Sequence, residues 1–293
     1  MSSKLQELYQ YFYKHLEAKY SPRQIEYFWR TWKEDVYDTS EDLQQSPQHA
    51  QSQIDKLIQA MLSDYPIEYY TGYTFFRGMK LKIDERALIP RPETEELVEY
   101  AIQHIANHFG KDQSLRILDI GTGSGCIALA LKSAFPNASV YAVDVDEAAL
   151  SLAEENASLY DLAIRCIADD ICAPRSNTLR AMQWDVLISN PPYVLRSEIR
   201  EMSSSAVRYE PPKALFVRED NPLYFYRCIE RYAQRHLQPN GLLFLECSAF
   251  HADKVNAYFT ERRWATKLID DLAGKPRILL CHKNNAESPT SIG

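Results

Sequence analysis

The sequence predicts an α/β fold: a seven-stranded doubly wound sheet, preceded by a small all-helical N-terminal domain and a β-hairpin linker. Three observations support this prediction. After Asp112, short apolar runs alternate with amphipathic stretches. The chain before Gly72 contains no glycine and carries apolar residues at helical spacing. Its 293 residues also exceed the usual size of one domain.

The helical domain is expected to span residues 1–72. A first helix is predicted by apolar residues at helical spacing, namely Leu5, Leu8, Tyr9, Phe12 and Leu16. Ser21 followed by Pro22 is typical of an N-cap and a first helical residue, which predicts a second helix. A third is predicted from about Ser52. The linker is expected at 73–92, where Arg77-Gly78 separates two short β-like runs.

The large domain is expected at 93–283. Its strands are predicted at 116–120, 139–143, 164–168, 185–189, 242–247, 265–270 and 277–281. Its helices are predicted at 126–134, 146–159, 221–236 and from about His251, besides the one that follows Pro92. Residues 284–293 are predicted to form a disordered tail because they are polar and lack periodicity.

Composition excludes several classes of protein. Lys and Arg number 33 against 40 Asp and Glu, so the net charge of −7 disfavours binding to long nucleic acids. The six cysteines form no CxxC pair, which predicts reduced thiols, no metal site and a cytoplasmic protein. No apolar run approaches the roughly 20 residues of a membrane span.

A glycine-rich segment, DIGTGSG at 119–125, follows the first predicted strand of the large domain. Glycines let a ligand approach the backbone, and the next helix offers free N–H groups. Asp144 follows Gly121 by 23 residues at a strand end, where a carboxylate can accept both hydroxyls of a ribose. Cys126 stands where dinucleotide sites require Gly or Ala, and Asp119 would repel a pyrophosphate but attract a sulfonium. We therefore expect S-adenosylmethionine as the cofactor.

The segment Asn190-Pro191-Pro192-Tyr193 ends another predicted strand. Two prolines make this loop rigid and extended. The Asn190 side-chain oxygen and the Pro191 carbonyl can accept both hydrogens of a planar –NH₂ group, while the Tyr193 ring packs on its face. This arrangement predicts methyl transfer to an amide or an exocyclic amine, with proximity supplying much of the rate.

Five segments together resemble a known family: DIGTGSG at 119–125, NPPY at 190–193, IPRPETEEL at 89–97, YYTG at 69–72 and YEPPKAL at 209–215. From about residue 65 to 281 the chain resembles the bacterial peptide-chain-release-factor glutamine N5-methyltransferases. The resemblance implies a methyltransferase (Rossmann-like) sheet and S-adenosylmethionine as donor. It implies as acceptor the glutamine of the Gly-Gly-Gln motif in class I release factors, and hence a role in translation termination.

The resemblance also implies site residues. The cofactor would contact Asp119, Gly121, Thr122, Gly123, Ser124, Gly125, Asp144, Asp170, Ile171 and Asn190, with Asp169 as an alternative to Asp170. The substrate would contact Arg91, Glu93, Asn190, Pro191, Pro192 and Tyr193, of which Asn190, Pro191 and Tyr193 would be catalytic. We expect a monomer whose helical domain docks the release factor.

Two other functions are consistent with parts of the sequence. An amino-methyltransferase acting on adenine or cytosine of DNA or RNA also uses an NPPY segment. It needs a recognition domain and room for a flipped base, whereas most residues after Tyr193 complete the predicted sheet. A protein that has lost activity and serves only as a scaffold is disfavoured by the intact glycine segment and NPPY.

Overall fold

A computed structural model describes residues 3–284, so the predicted tail lies outside the described residues apart from Asn284. The N-terminal part is helical. Its elements are α1 (Ser3–Leu16), α2 (Pro22–Trp32), a π-helical segment (Lys33–Tyr37), α3 (Glu41–Gln45), α4 (Pro47–Leu62) and α5 (Ile67–Thr71).

Helix boundaries in this part follow local capping chemistry. Ser21 accepts a hydrogen bond from the backbone of Gln24, whose side chain bonds back to Ser21 in a capping box. The third long helix begins at Pro47 rather than near Ser52, because Ser46-Pro47 repeats the same cap signal. Side chains of α1, α2 and α4 form a separate apolar core that includes Phe12, Leu16, Ile25, Trp32, Ile54 and Leu57.

A β-hairpin links the helices to the sheet domain. Strands β1 (Tyr73–Phe76) and β2 (Met79–Lys82) pair antiparallel, and Arg77 and Gly78 at the turn both have positive φ. This is the backbone of a tight hairpin turn that matches the twist of the strands. The Lys82 backbone N–H donates to Asn156 Oδ1 at 2.7 Å, which fixes the hairpin to the sheet domain.

The large domain contains a seven-stranded sheet in the order β5-β4-β3-β6-β7-β9-β8. Its strands are β3 (Arg116–Ile120), β4 (Ser139–Asp144), β5 (Ile164–Ala168), β6 (Trp184–Ser189), β7 (Leu237–Glu246), β8 (Trp264–Asp270) and β9 (Pro276–Lys283). Strands β3 to β7 pair parallel, and β9 lies antiparallel between β7 and β8. The predicted seven-stranded α/β architecture is confirmed.

Helices cover both faces of this sheet, and an apolar core lies on each face. The helices are α6 (Pro92–Phe109), α7 (Cys126–Ala134), α8 (Glu147–Leu159), α9 (Asn177–Ala181), α10 (Ser204–Tyr209), α11 (Pro212–Leu215), α12 (Tyr224–His236) and α13 (Ala252–Glu261), with a 3₁₀ helix at Arg196–Glu201. Over the described residues, no helix is both long and apolar enough to cross a membrane.

The strand order reverses between β3 and β6, which places a crevice at their carboxyl ends. The glycine segment follows β3 and the NPPY segment follows β6. Both segments predicted to carry the chemistry therefore open into one crevice.

Candidate active site

The glycine loop is shaped by positive φ angles that favour glycine. Gly121, Gly123 and Gly125 have φ of +73°, +53° and +83°. A Cβ added to Gly125 would lie 2.9 Å from the Ala153 Cβ, so this glycine lets α8 pack closely against the start of α7. Around Gly121 no atom lies within 4 Å of such a Cβ, so that side of the loop is open to a ligand.

Asp119 lies beneath the loop and is fully buried. Its Oδ2 accepts hydrogen bonds from Thr122 Oγ1 at 2.6 Å and from the Ala128 backbone N–H at 3.2 Å. Its Oδ1 has no hydrogen-bond partner within the described chain. Burial raises the pKa of Asp119 to about 7. The carboxyl thus holds the loop in place and does not line the crevice.

This buried carboxyl predicts a pH-dependent stability difference. Because the pKa of Asp119 is about 7 when folded and about 3.9 when unfolded, ionisation favours unfolding, so its contribution to stability falls as pH rises across that window. Relative to wild type, Asp119→Asn should gain about 2–3 kcal/mol of unfolding free energy between pH 5 and pH 8. Urea unfolding of both proteins at the two pH values measures this, and a constant difference would contradict it.

Asp144 ends β4 at the wall of the crevice. Its Oδ2 accepts from the Gly123 backbone N–H and its Oδ1 from that of Asp146, both at 3.0 Å. These bonds fix the carboxylate, and each oxygen retains acceptor capacity toward the crevice. Burial raises the pKa of Asp144.

The two acidic residues after β5 differ in their engagement. Asp169 accepts from the backbone N–H groups of Asp170, Arg175 and Ser176 at 2.7–3.1 Å, so it organises its own loop. Among residues 3–284, the Asp170 side chain accepts only from the Cys172 backbone N–H, at 2.8 Å, through Oδ1. Both line the crevice with Ile171. Asp170 therefore has more acceptor capacity left for a ligand.

The NPPY segment is fixed by a buried carboxyl group. Asn190 Nδ2 donates to Thr94 Oγ1 at 3.0 Å, and Thr94 Oγ1 donates to Glu246 Oε2 at 2.7 Å. The Tyr193 hydroxyl donates to Glu246 Oε1 at 3.0 Å. Directly after this segment, the Val194 N–H donates to the Leu215 carbonyl at 3.0 Å, which joins the loop to the YEPPKAL segment.

Arg91 and Glu210 connect two of the segments that carry the family resemblance. Arg91 Nη2 lies 2.5 Å from Oε1 of Glu210, a buried carboxyl whose Oε2 also accepts from the Ile89 backbone N–H at 3.3 Å. The pair joins the residues before α6 to those before α11. The Arg91 guanidinium is thus already engaged by the protein.

Two adjoining cavities occupy the crevice. The first, of about 230 Å³, is lined by predicted residues Gly121, Thr122, Gly123, Ser124, Asp144, Asp169, Asp170, Ile171, Asn190, Pro191, Pro192 and Arg91. The second, of about 240 Å³, is lined by predicted residues Arg91, Glu93, Asn190, Pro191 and Tyr193. Asp119 and Gly125 line neither, although both were predicted to contact the cofactor. Asn190, Pro191 and Arg91 line both cavities.

Three residues at this site were not identified from the sequence. Thr94 lies inside the IPRPETEEL segment, where its hydroxyl gave no separate signal. Glu246 ends an apolar strand, and Glu210 belongs to YEPPKAL. A lone carboxylate at the end of a buried strand is the signal that could have identified Glu246, because such a group requires partners.

A family model and a solved structure show which known proteins share this architecture. Residues 95–212 match a family model described as the methyltransferase small domain. A methyltransferase from Pyrococcus furiosus has a similar fold, with a TM-score of 0.50 at 19% identity over 80% of this chain and 98% of that one. The sheet domain thus has the fold of the methyltransferases.

Sequence relatives narrow the class. The release factor glutamine methyltransferase of Flavobacterium psychrophilum is 40% identical over 215 residues, which cover 73% of this chain and 74% of the relative. That of Lactococcus lactis is 41% identical over 217 residues, which cover 73% and 76%. The chain belongs to the release factor glutamine methyltransferase family.

Proposed function

We propose that this chain transfers a methyl group from S-adenosylmethionine to the side-chain amide nitrogen of the glutamine in the Gly-Gly-Gln motif of class I release factors. The observation that carries the proposal is the pair of cavities that meet at Asn190 and Pro191. One cavity suits a nucleoside and the other a planar amide. Membership of the family, whose relatives bear the name release factor glutamine methyltransferase, supports the choice of acceptor.

The residues of the first cavity fit S-adenosylmethionine. The open side of Gly121 leaves room for the amino acid part of the cofactor. Asp144 has acceptor capacity for two ribose hydroxyls, Asp170 can accept from the adenine amino group, and Ile171 offers an apolar surface to the base. The unpartnered Oδ1 of Asp119 places a titratable carboxyl beneath the site of a cationic ligand.

When bound, the cofactor supplies an electrophilic methyl group on a sulfonium. The task of the chain is to present a weak nucleophile, because the lone pair of an amide nitrogen is delocalised. Asn190 Oδ1 and the Pro191 carbonyl accept one amide hydrogen each and so return electron density to nitrogen. The Tyr193 ring holds the amide plane, and much of the rate comes from this alignment. Methylation makes the nitrogen acidic, so one of the held protons then leaves without a strong base.

Two variants distinguish the aspartate that binds adenine from the aspartate that has a structural role in its own loop. Asp170→Ala should weaken cofactor binding about tenfold, the value of one hydrogen bond to a charged group, with little effect on stability. Asp169→Ala should lower the unfolding free energy instead, because three backbone N–H groups lose their acceptor. Calorimetric titration with S-adenosylhomocysteine measures the affinity, and urea unfolding measures the stability. If Asp169→Ala weakened binding and Asp170→Ala lowered stability, Asp169 would be the residue that contacts adenine.

The decisive experiment is incubation of the full chain with methyl-labelled S-adenosylmethionine and two acceptors, a class I release factor and DNA. We expect label only on the release factor, mapped by mass spectrometry to the glutamine of Gly-Gly-Gln. A release factor with that glutamine replaced by alanine is the matched control. Label on a DNA base, or on another residue of the release factor, would overturn the proposal.

A further inference from the structure

A chain of hydrogen bonds joins the Asn190 side chain to a buried carboxyl group, and two of its members also line the cavities, Thr94 the first and Tyr193 the second. It runs from Asn190 Nδ2 to Thr94 Oγ1 at 3.0 Å and on to Glu246 Oε2 at 2.7 Å. The other carboxyl oxygen of Glu246 accepts from the Tyr193 hydroxyl at 3.0 Å. One carboxyl group, at the end of β7, thereby contacts α6 and the NPPY loop together.

These groups are shielded from solvent. Glu246 is fully buried and Thr94 is 2% exposed, so water does not replace a missing partner. Burial raises the pKa of Glu246 to about 7, while the hydrogen bonds from Thr94 and Tyr193 and the charge of Arg277 act in the opposite direction. At neutral pH the ionised and the protonated forms of Glu246 are therefore both populated.

When Glu246 is ionised, the count of protons fixes the direction of each bond. An ionised carboxylate has none to donate, so the hydroxyls of Thr94 and Tyr193 must both donate to Glu246. The single hydroxyl proton of Thr94 is then used in this bond, so the Thr94 oxygen can only accept from Asn190. The Asn190 amide must turn its –NH₂ group toward Thr94, which leaves Oδ1 outside this chain of bonds and able to accept from a ligand.

We propose that Glu246 and Thr94 are positioning residues that hold Asn190 with its Oδ1 facing the acceptor amide. The inference rests on the proposed function, since it concerns how the acceptor –NH₂ is gripped. If the Asn190 amide were reversed, its –NH₂ group would face the –NH₂ group of the acceptor. Asn190 could then no longer accept a hydrogen bond from the acceptor. The chain of bonds also polarises the Asn190 amide, because the negative carboxylate makes each successive acceptor more basic.

The first test compares Thr94→Val with Thr94→Ser in the full chain. Valine keeps the shape but removes the hydroxyl, whereas serine restores it. With release factor as acceptor, kcat of Thr94→Val should fall about 100-fold, as for loss of an oriented polar group at the reaction centre. The kcat of Thr94→Ser should stay within about threefold of the wild-type value. In both variants, the KM for release factor and the Kd for S-adenosylhomocysteine should also stay within about threefold of wild type.

Glu246→Gln tests the proton count with almost no change of shape. The carboxamide carries two protons, so one of the two hydroxyls must accept instead of donate. When that hydroxyl belongs to Thr94, its proton turns to Asn190 Oδ1 and the Asn190 amide reverses. We expect kcat to fall about tenfold or more while cofactor affinity is retained. Thermal unfolding of each variant checks that the fold persists.

A nuclear magnetic resonance measurement tests the orientation without the reaction. In ¹⁵N-labelled protein, the side-chain amide signal of Asn190 is the one that is missing from Asn190→Asp. One of its protons should be protected from exchange with solvent in wild type and in Thr94→Ser, and unprotected in Thr94→Val. If wild type leaves release factor unmethylated, the proposed function fails, and this measurement still decides how Asn190 is held.

Three results would overturn the inference. The first is wild-type turnover in Thr94→Val. The second is an equal loss in Thr94→Ser and Thr94→Val, which would assign Thr94 a packing role. The third is the same exchange protection of the Asn190 side chain in Thr94→Val as in wild type.

Discussion

Asn190→Ala is expected to lower turnover about 1,000-fold. Alanine removes the side-chain oxygen that accepts an acceptor-amide hydrogen, and it leaves the Thr94 hydroxyl without the donor it has at 3.0 Å. The glycine loop, Asp144 and Asp170 stay in place, so the affinity for cofactor should change little. Single-turnover methylation of release factor measures the first quantity, and calorimetric titration with S-adenosylhomocysteine the second.

Pro192→Ala is the control for this substitution, because it alters the same loop without removing either proposed acceptor oxygen. It should retain far more activity than Asn190→Ala. Near-normal turnover in Asn190→Ala would show that the amide is not gripped as proposed. A loss of cofactor affinity equal to the loss of turnover would instead move Asn190 into the cofactor site.

Removal of the N-terminal helices is expected to separate use of a folded substrate from chemistry. Apart from Ile67 of α5, the buried residues of the N-terminal apolar core belong to α1, α2 and α4, so a chain that begins at Ser63 keeps the sheet domain, α5 and the hairpin. With intact release factor, kcat/KM should fall about 100-fold, because a docking surface of several kcal/mol is lost. With a short Gly-Gly-Gln peptide it should change by no more than about threefold.

Binding of S-adenosylhomocysteine to the truncated chain is the control for an intact cavity. The shortened chain keeps the Tyr209 hydroxyl bond to the Ser63 carbonyl, at 2.9 Å, which ties α10 to the retained segment. Equal losses with release factor and peptide, at unchanged cofactor affinity, would exclude a docking role for these helices.

Local patterns predicted the sheet and the position of the site because both depend on short stretches of chain. The strands of the sheet are apolar runs, and the site follows from where β3 and β6 end. The short helices α9, α10 and α11 were missed because four to six residues are too few to show a helical period. Strand β7 begins at Leu237, before the predicted start, with a register shift opposite Trp184.

The sequence did not predict which residues distant along the chain contact each other. Thr94 and Glu246 are separated by 152 positions, and no local rule selects one buried carboxyl as the partner of one threonine. Asp119 shows the converse. Its position in the motif suggested direct contact with the cofactor, whereas its hydrogen bonds to Thr122 and Ala128 turn it under the loop. Sequence spacing gave the place of that residue but not the direction of its side chain.

The shared wall of the two cavities has a consequence for inhibition. Asn190, Pro191 and Arg91 border both spaces, so a nucleoside in one and an amide in the other would contact the same three residues. One molecule that joins an adenosine to a glutamine side chain through a short linker would occupy both at once. Binding of its second half would be intramolecular, and such linkage raises affinity by about 10²–10⁴ over either half alone. The linker between the two halves would occupy the position of the methyl group during its transfer.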